Sequence, residues 1–132
     1  MREIVNNLPP PAHSRAVLIG IDGYGEKTWR LGGGLKSILS LASALKQLGV
    51  PAHQIDIWLS PADQEATEAA DISGWRWRPF KQEEFIRWIE TLLASNSDPS
   101  PSMLYFHWTG HGIVSTDKTG DQLHHLVLPE AT

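Results

Sequence analysis

His111 is the residue of this chain whose surroundings most favour chemistry. It lies between Gly110 and Gly112, just after the mainly apolar stretch 103–108. A glycine on each side permits backbone angles that other residues avoid and leaves room for a ligand to approach. An imidazole can take a proton from a nucleophile near neutral pH, and the Gly112 amide could donate a hydrogen bond to an oxyanion. The pattern predicts a general base. A histidine packed in a tight turn is the alternative that these residues leave open.

A metal site built from histidines is one rival interpretation. His107 and His111 are four residues apart, and His124 and His125 follow nearby. Four-residue spacing brings ligands together on a helix, whereas here it spans the end of a strand and a turn. In a strand His107 points to the face opposite Trp108, so a structural role is predicted for it. Neither a metal nor a cofactor is predicted.

A phosphate-binding loop is a second rival interpretation. Four residues separate Gly20 from Gly25, as in a P-loop, but Glu26 precedes Lys27. The motif needs its lysine directly after the second glycine, so that the ammonium group and the backbone amides converge on the phosphates. Glu26 instead puts a carboxylate where the anion would bind, and nucleotide binding is not predicted.

The composition limits the classes of partner. The chain has 132 residues, a net charge of −4 at pH 7 and no cysteine. The negative charge argues against nucleic acid as a partner. No apolar run is long enough to span a membrane and the first residues are not a signal peptide, so we expect a cytoplasmic protein without a membrane partner. The lack of cysteine excludes a disulfide scaffold and a thiolate metal site within these residues.

Apolar runs and helical periodicity predict the elements that position His111. Residues 1–14, with three consecutive prolines, are expected to form an extended, non-helical lead-in to a domain over 15–132. The predicted strands cover 16–21, 55–59, 103–108 and a short run at 126–128. The predicted helices cover 35–48, where Gly49 ends the pattern, and 81–94. Residues 61–80 are expected to be a long loop and 95–102 a linker.

Strands that alternate with helices predict an α/β fold. Right-handed crossovers then give a mainly parallel sheet with helices on both faces, which is a three-layer architecture. Three or four strands make a small sheet. We therefore expect the sheet to be incomplete on its C-terminal side, with further strands supplied by a segment or chain that lies beyond residue 132.

The run of elements from residue 16 to 132 resembles the large-subunit half of caspase-like cysteine peptidases, the group of caspases, metacaspases and bacterial relatives. Most of the matching elements are weak individually, including the first strand, the glycine-rich loop before the helix that ends at Leu48, and the helix around Phe85. The segment 104–112 is the specific one. The catalytic histidine of this family follows an aromatic-rich strand within a Ser/Thr-Gly-His-Gly motif.

The resemblance implies a role for four residues. His111 would be the general base of a Cys–His dyad, and Gly112 would supply one amide of the oxyanion hole. Arg30 lies where caspases carry an arginine that binds a substrate aspartate; a solvated loop charge is the alternative. Relatives that cleave after Arg or Lys use acidic residues, and Asp22 could serve that role.

The resemblance also implies a cysteine nucleophile some tens of residues after the histidine, a position beyond Thr132. The leading hypothesis is therefore a bacterial-type cysteine endopeptidase that acts on protein or peptide substrates. In it, this chain carries the histidine and a Cys-bearing C-terminal segment or chain completes the site. The alternative is a non-catalytic interaction module of the same fold that docks partners through Trp75 and Trp77.

Overall fold

The centre of the fold is a buried parallel sheet. The computed structural model describes residues 11–94 and 103–130. Strand β1 (Ser14–Ile21) is apolar along nearly its whole length and buried on both faces, as expected of a central strand in a parallel sheet. It pairs in parallel with β2 (Ile55–Ser60) on one side and with β4 (Met103–Thr109) on the other. The short β3 (Arg78–Pro79) pairs with β2, so the strand order is β3-β2-β1-β4.

Helices cover both faces of this sheet, which confirms the predicted three-layer α/β fold. Helices α1 (Gly34–Gln47) and α2 (Gln64–Ile72) share one face, where Ile38 and Ala70 join an apolar cluster around Leu18. Helix α3 (Gln82–Ala94) lies on the other face, where Trp88 packs against a cluster that contains Ile19. Full burial of a side chain such as Leu18 or Ile19 contributes about 1.5–3 kcal/mol to stability.

The prediction of a long loop over 61–80 is wrong, because this segment contains α2 and β3. Asp63 starts α2 by accepting a hydrogen bond from the Ala66 amide at 2.8 Å, as a helix N-cap does. Only Ala70 of this helix is buried. A helix that buries alanine leaves almost no apolar periodicity in the sequence, which is why the pattern did not show it.

The predicted strand at 126–128 is displaced. An antiparallel hairpin forms instead from β5 (Gly112–Thr116) and β6 (Gln122–Leu126), as a separate two-stranded sheet. The Asp117 carboxylate closes its turn by accepting hydrogen bonds from the amides of Thr119 and Asp121, at 2.8 and 3.0 Å. Almost all of the hairpin is exposed, so packing imposes no alternation that a sequence pattern could reveal.

The lead-in and the linker are described only in part. Residues 1–10 and the predicted linker 95–102 lie outside the described residues. Pro11–His13 form a single 3-10 turn, contrary to the expected extended form, and Ser14 already belongs to β1. Proline is tolerated at the first position of such a turn, because its missing N–H would have no partner there.

Strand β4 forms one edge of the described sheet. Its inner edge pairs with β1, and its outer edge pairs with no described strand. Leu104, Tyr105 and Phe106 are 42%, 41% and 49% exposed, although the strand sequence is that of a buried one. In the described ranges, no helix is both long and apolar enough to cross a bilayer.

Candidate active site

The strand order of the sheet has its point of reversal between β1 and β4. From β1 the chain moves by way of α1 and α2 to β2 and β3, and α3 then returns it across the opposite face to β4. The order therefore reverses between β1 and β4, and ligands of open α/β sheets bind outside the strand ends at such a point. The loops that follow these two strands carry Tyr24 and His111 into mutual contact.

The His111 imidazole is oriented by a backbone carbonyl. Its Nε2 lies 2.6 Å from the carbonyl oxygen of Trp29. Because a carbonyl oxygen can only accept, Nε2 carries the proton, and Nδ1 keeps its lone pair in the neutral ring. No described residue bonds to Nδ1. The half-buried imidazole is therefore held in the tautomer in which Nδ1, on the side of the ring away from the Trp29 carbonyl, can accept a proton.

Tyr24 holds the backbone of the same histidine. Its phenol oxygen accepts the His111 N–H at 2.7 Å, and the two ring centroids are 4.9 Å apart. Tyr24 is only 3% exposed. Burial raises the pKa of its phenol, the hydrogen bond from His111 opposes the rise, and the charge of Asp22 adds to it. The phenol is therefore neutral at physiological pH.

Gly110 allows the turn to pass this phenol at close range. A Cβ atom at position 110 would lie 2.8 Å from Tyr24 Oη and 3.0 Å from Trp108 Nε1. Both distances are shorter than a carbon atom tolerates without displacing its neighbour. The reason for glycine here is space rather than a left-handed backbone, because φ of Gly110 is not positive.

The amide of Gly112 is directed away from the hairpin. Val127 N–H donates to the His111 carbonyl at 3.0 Å, while Gly112 stands opposite Leu126 in the ladder. This pattern makes Gly112 and Leu126 a non-hydrogen-bonded pair, whose amides point away from the partner strand. The exposed Gly112 N–H is thus not used by β6, as an oxyanion donor requires.

Asp22 caps α1 from the end of β1. It is 3% exposed, and its two carboxylate oxygens accept the amides of Gly34 and Leu35 at 3.2 and 3.1 Å. Burial raises the pKa of this carboxyl, and the two amides oppose the rise. Asp22 also lines a cavity of about 850 Å³ between α1 and α2. Its role in substrate binding stays a prediction.

Arg30 is exposed in the loop that orients His111. Its own N–H closes the 3-10 turn Lys27–Trp29 by donating to the Lys27 carbonyl at 3.2 Å. It directly follows Trp29, whose carbonyl binds the imidazole. None of the described residues makes an ion pair with its guanidinium group. Its predicted contact with a substrate carboxylate stays a prediction.

His107 and His125 form contacts that are separate from the His111 site. His107 Nε2 lies 3.2 Å from Thr109 Oγ1, and His125 Nε2 lies 2.8 Å from Ser115 Oγ on the hairpin. Strand alternation places His107 on the face opposite Trp108, as predicted. Among the described residues, no group of three or more His, Cys, Asp or Glu side chains could hold a metal ion.

No protein-family model matches the sequence, and no curated protein matches it.

The structure adds two groups to the site that the sequence did not indicate. Tyr24 was not predicted, because a tyrosine in a loop after a strand is not distinctive. The carbonyl of Trp29 has no sequence signature at all, since every residue carries one. The only available clue was the position of both residues in the loops that follow β1, which is the element next to β4.

Proposed function

We propose that this chain is the base-bearing part of a caspase-like cysteine endopeptidase. The observation that carries the proposal is the hydrogen bond from His111 Nε2 to the Trp29 carbonyl, because it leaves Nδ1 open as a proton acceptor. The position of His111 at the strand-order reversal and the unused Gly112 amide support the same function. The described geometry thus agrees with what a Cys–His dyad needs from its histidine.

The chemistry would use a cysteine from a second segment, either the continuation of this polypeptide or another chain. His111 Nδ1 takes the thiol proton, and the thiolate attacks the substrate carbonyl to form a C–S bond. The resulting oxyanion accepts the Gly112 N–H. The imidazolium then gives its proton to the leaving amine as the C–N bond breaks. Water, deprotonated by the same imidazole, hydrolyses the acyl-enzyme and restores the thiol.

The open edge of β4 offers a place for that segment. It lies beside the loop that carries His111, and its apolar side chains are 41–49% exposed at positions 104–106. A strand added there would bring its own carboxyl end next to His111, provided that it ran parallel to β4. The nucleophile is proposed to lie at this position, within reach of Nδ1.

Substrate preference would depend on charge near the same loops. Arg30, which is exposed next to Trp29, is proposed to grip a substrate carboxylate. Asp22 is the proposed contact for a basic side chain and would act through the cavity that it lines. In accord with the resemblance, we place the protein in a bacterial cytoplasm, with protein or peptide substrates and without nucleic acid or membrane partners.

The non-catalytic module is less well supported by the contacts of its tryptophans. Trp75 Nε1 donates to Ser43 Oγ at 3.3 Å, and Trp77 Nε1 donates to Asp71 Oδ1 at 3.1 Å. Both side chains also pack against the cluster below α1 and α2. These indoles therefore have partners within the chain, and we prefer the peptidase.

The deciding experiment uses the complete polypeptide, including whatever follows Thr132. Peptide substrates with an acidic or a basic residue before the cleaved bond are tested with wild type, His111→Ala and the control His125→Ala. We expect His111→Ala to lower kcat/KM by about 100- to 10,000-fold, the usual contribution of a general base, and the control to retain activity. Full activity of a folded His111→Ala variant contradicts the proposal, as does the lack of a cysteine both in the strand after residue 132 and in any chain that binds this one. The latter result favours the interaction module.

A further inference from the structure

We propose that Tyr24 is a positioning residue for His111, which fixes both the backbone and the imidazole plane of the base. Its catalytic meaning rests on the function proposed above. The positioning itself depends only on contacts within this chain, so it can be tested without peptidase activity.

The phenol oxygen of Tyr24 fixes the backbone of the histidine. The His111 N–H has this oxygen as its acceptor at 2.7 Å, across 87 positions of sequence. One backbone hydrogen bond holds the other side of the turn, because the His111 carbonyl accepts from the Val127 N–H. Both backbone groups of His111 are thus bonded to different elements. The imidazole therefore starts from a fixed Cα position.

The aromatic ring of Tyr24 contacts the side chains of both residues that share the imidazole's hydrogen bond, His111 and Trp29. Its centroid is 4.9 Å from the His111 ring at an interplanar angle of 51°. It also meets Trp29 edge-on, at 6.5 Å and 76°. The Trp29 carbonyl accepts from His111 Nε2, so one buried ring touches the donor residue and the acceptor residue together. Loss of this ring would release the pair, whereas loss of the hydroxyl alone would release the backbone.

Tyr24→Phe separates these two contributions. Phenylalanine keeps the ring in the cluster that contains Ile21, but it leaves the His111 N–H without an acceptor. The half-buried turn would then shift toward water to satisfy that amide. A shift of about 1 Å in a catalytic group can cost about 100-fold in rate, so even this conservative change should affect the base.

The first test measures the imidazole itself by NMR in the chain as it stands. In wild type the His111 Nε2 proton, bonded at 2.6 Å, should give a slowly exchanging resonance, assigned by its absence from His111→Ala. We expect Tyr24→Phe to speed its exchange with water at least about tenfold, or to remove the signal, and Tyr105→Phe to leave it unchanged. Tyr105 is the matched control, because it is the other tyrosine of the chain and is 41% exposed. An unchanged Nε2 proton in folded Tyr24→Phe overturns the proposal.

A measurement on wild type covers the case in which Tyr24→Phe does not fold. The His111 amide is bonded to the phenol, whereas the Gly112 amide faces away from the hairpin. We expect hydrogen exchange of the His111 amide to be at least about tenfold slower than that of Gly112, relative to unstructured peptides. Equal rates contradict the proposal.

A kinetic test then separates positioning from the proposed function. In the complete polypeptide we expect Tyr24→Phe to lower kcat about 10- to 100-fold with KM unchanged. A complete polypeptide with no peptidase activity, together with a lost Nε2 resonance in Tyr24→Phe, disproves the peptidase and keeps Tyr24 as the residue that positions His111. An active Tyr24→Phe enzyme with normal kcat and an unchanged resonance disproves the positioning role alone.

Discussion

At the scale of single residues, the two glycines beside His111 differ in the space that surrounds them. Gly110 lets the turn pass within contact distance of the Tyr24 phenol and the Trp108 indole. At Gly112 an added Cβ would meet only the His125 carbonyl oxygen, at 3.5 Å, which is ordinary van der Waals contact. Neither glycine has a positive φ. Side-chain space, rather than backbone conformation, therefore distinguishes them.

A pair of alanine variants tests this difference. We expect Gly110→Ala to lower the free energy of unfolding by about 1–3 kcal/mol, the usual cost of overpacking, and to disturb the Nε2 proton of His111. Gly112→Ala should change stability by less than about 1 kcal/mol, because it fits and also restricts the unfolded chain. Urea denaturation of both variants checks the prediction. Equal losses in the two variants would show that backbone flexibility, not space, selects glycine here.

At the scale of elements, the sequence predicted those whose buried faces are made of large apolar residues. Strands β1, β2 and β4 and helices α1 and α3 have such faces, and all five were predicted within a few residues. Helix α2 was missed because it buries alanine, and the hairpin was misplaced because it buries little. His111 could be predicted as a site residue because its glycine neighbours follow a strand. Its partners could not, since contact between the β1 and β4 loops depends on the three-dimensional strand order.

Asp22, which caps helix α1, should make the stability of the fold depend on pH. Burial raises the pKa of Asp22 in the folded chain, so the folded state binds this proton more tightly than the unfolded state does. The stability that Asp22 contributes is then largest below its ordinary range and falls as pH rises through the raised value. We expect the free energy of unfolding of wild type, minus that of Asp22→Asn, to decrease as pH rises. Urea titrations at several pH values between about 3 and 7 measure it. An increasing difference would mean that the two amide bonds outweigh burial.

At the scale of the whole molecule, the described part of the chain leaves an apolar and uncharged strand, β4, at the edge of its parallel sheet. Strand β4 carries no charged residue, and the apolar side chains of Leu104 and Phe106 are 42% and 49% exposed. Natural sheets protect such edges with charges, prolines, bulges or a covering element. Helix α3 also exposes an apolar side chain, Leu93, at 60%. The described residues thus leave a strand that could pair with another strand directly beside the loop that carries His111.

Hydrogen exchange across β4 tests whether a further segment covers this edge. Amides of a strand alternate between its two edges, so one set of β4 amides faces β1 and the other set faces outward. In the chain alone we expect the outward set to exchange at least about tenfold faster, and in the complete polypeptide we expect both sets to be protected.

Phe106→Lys should hinder the covering of this edge, because the cation would be buried against the added segment. Leu126→Lys, on the hairpin at 54% exposure, is the matched control. If the outward amides of the chain alone become protected as its concentration rises, the edge pairs with a second copy. Protection at every concentration would show that the chain already covers the edge itself, and the proposed cysteine would then have to approach His111 from another side.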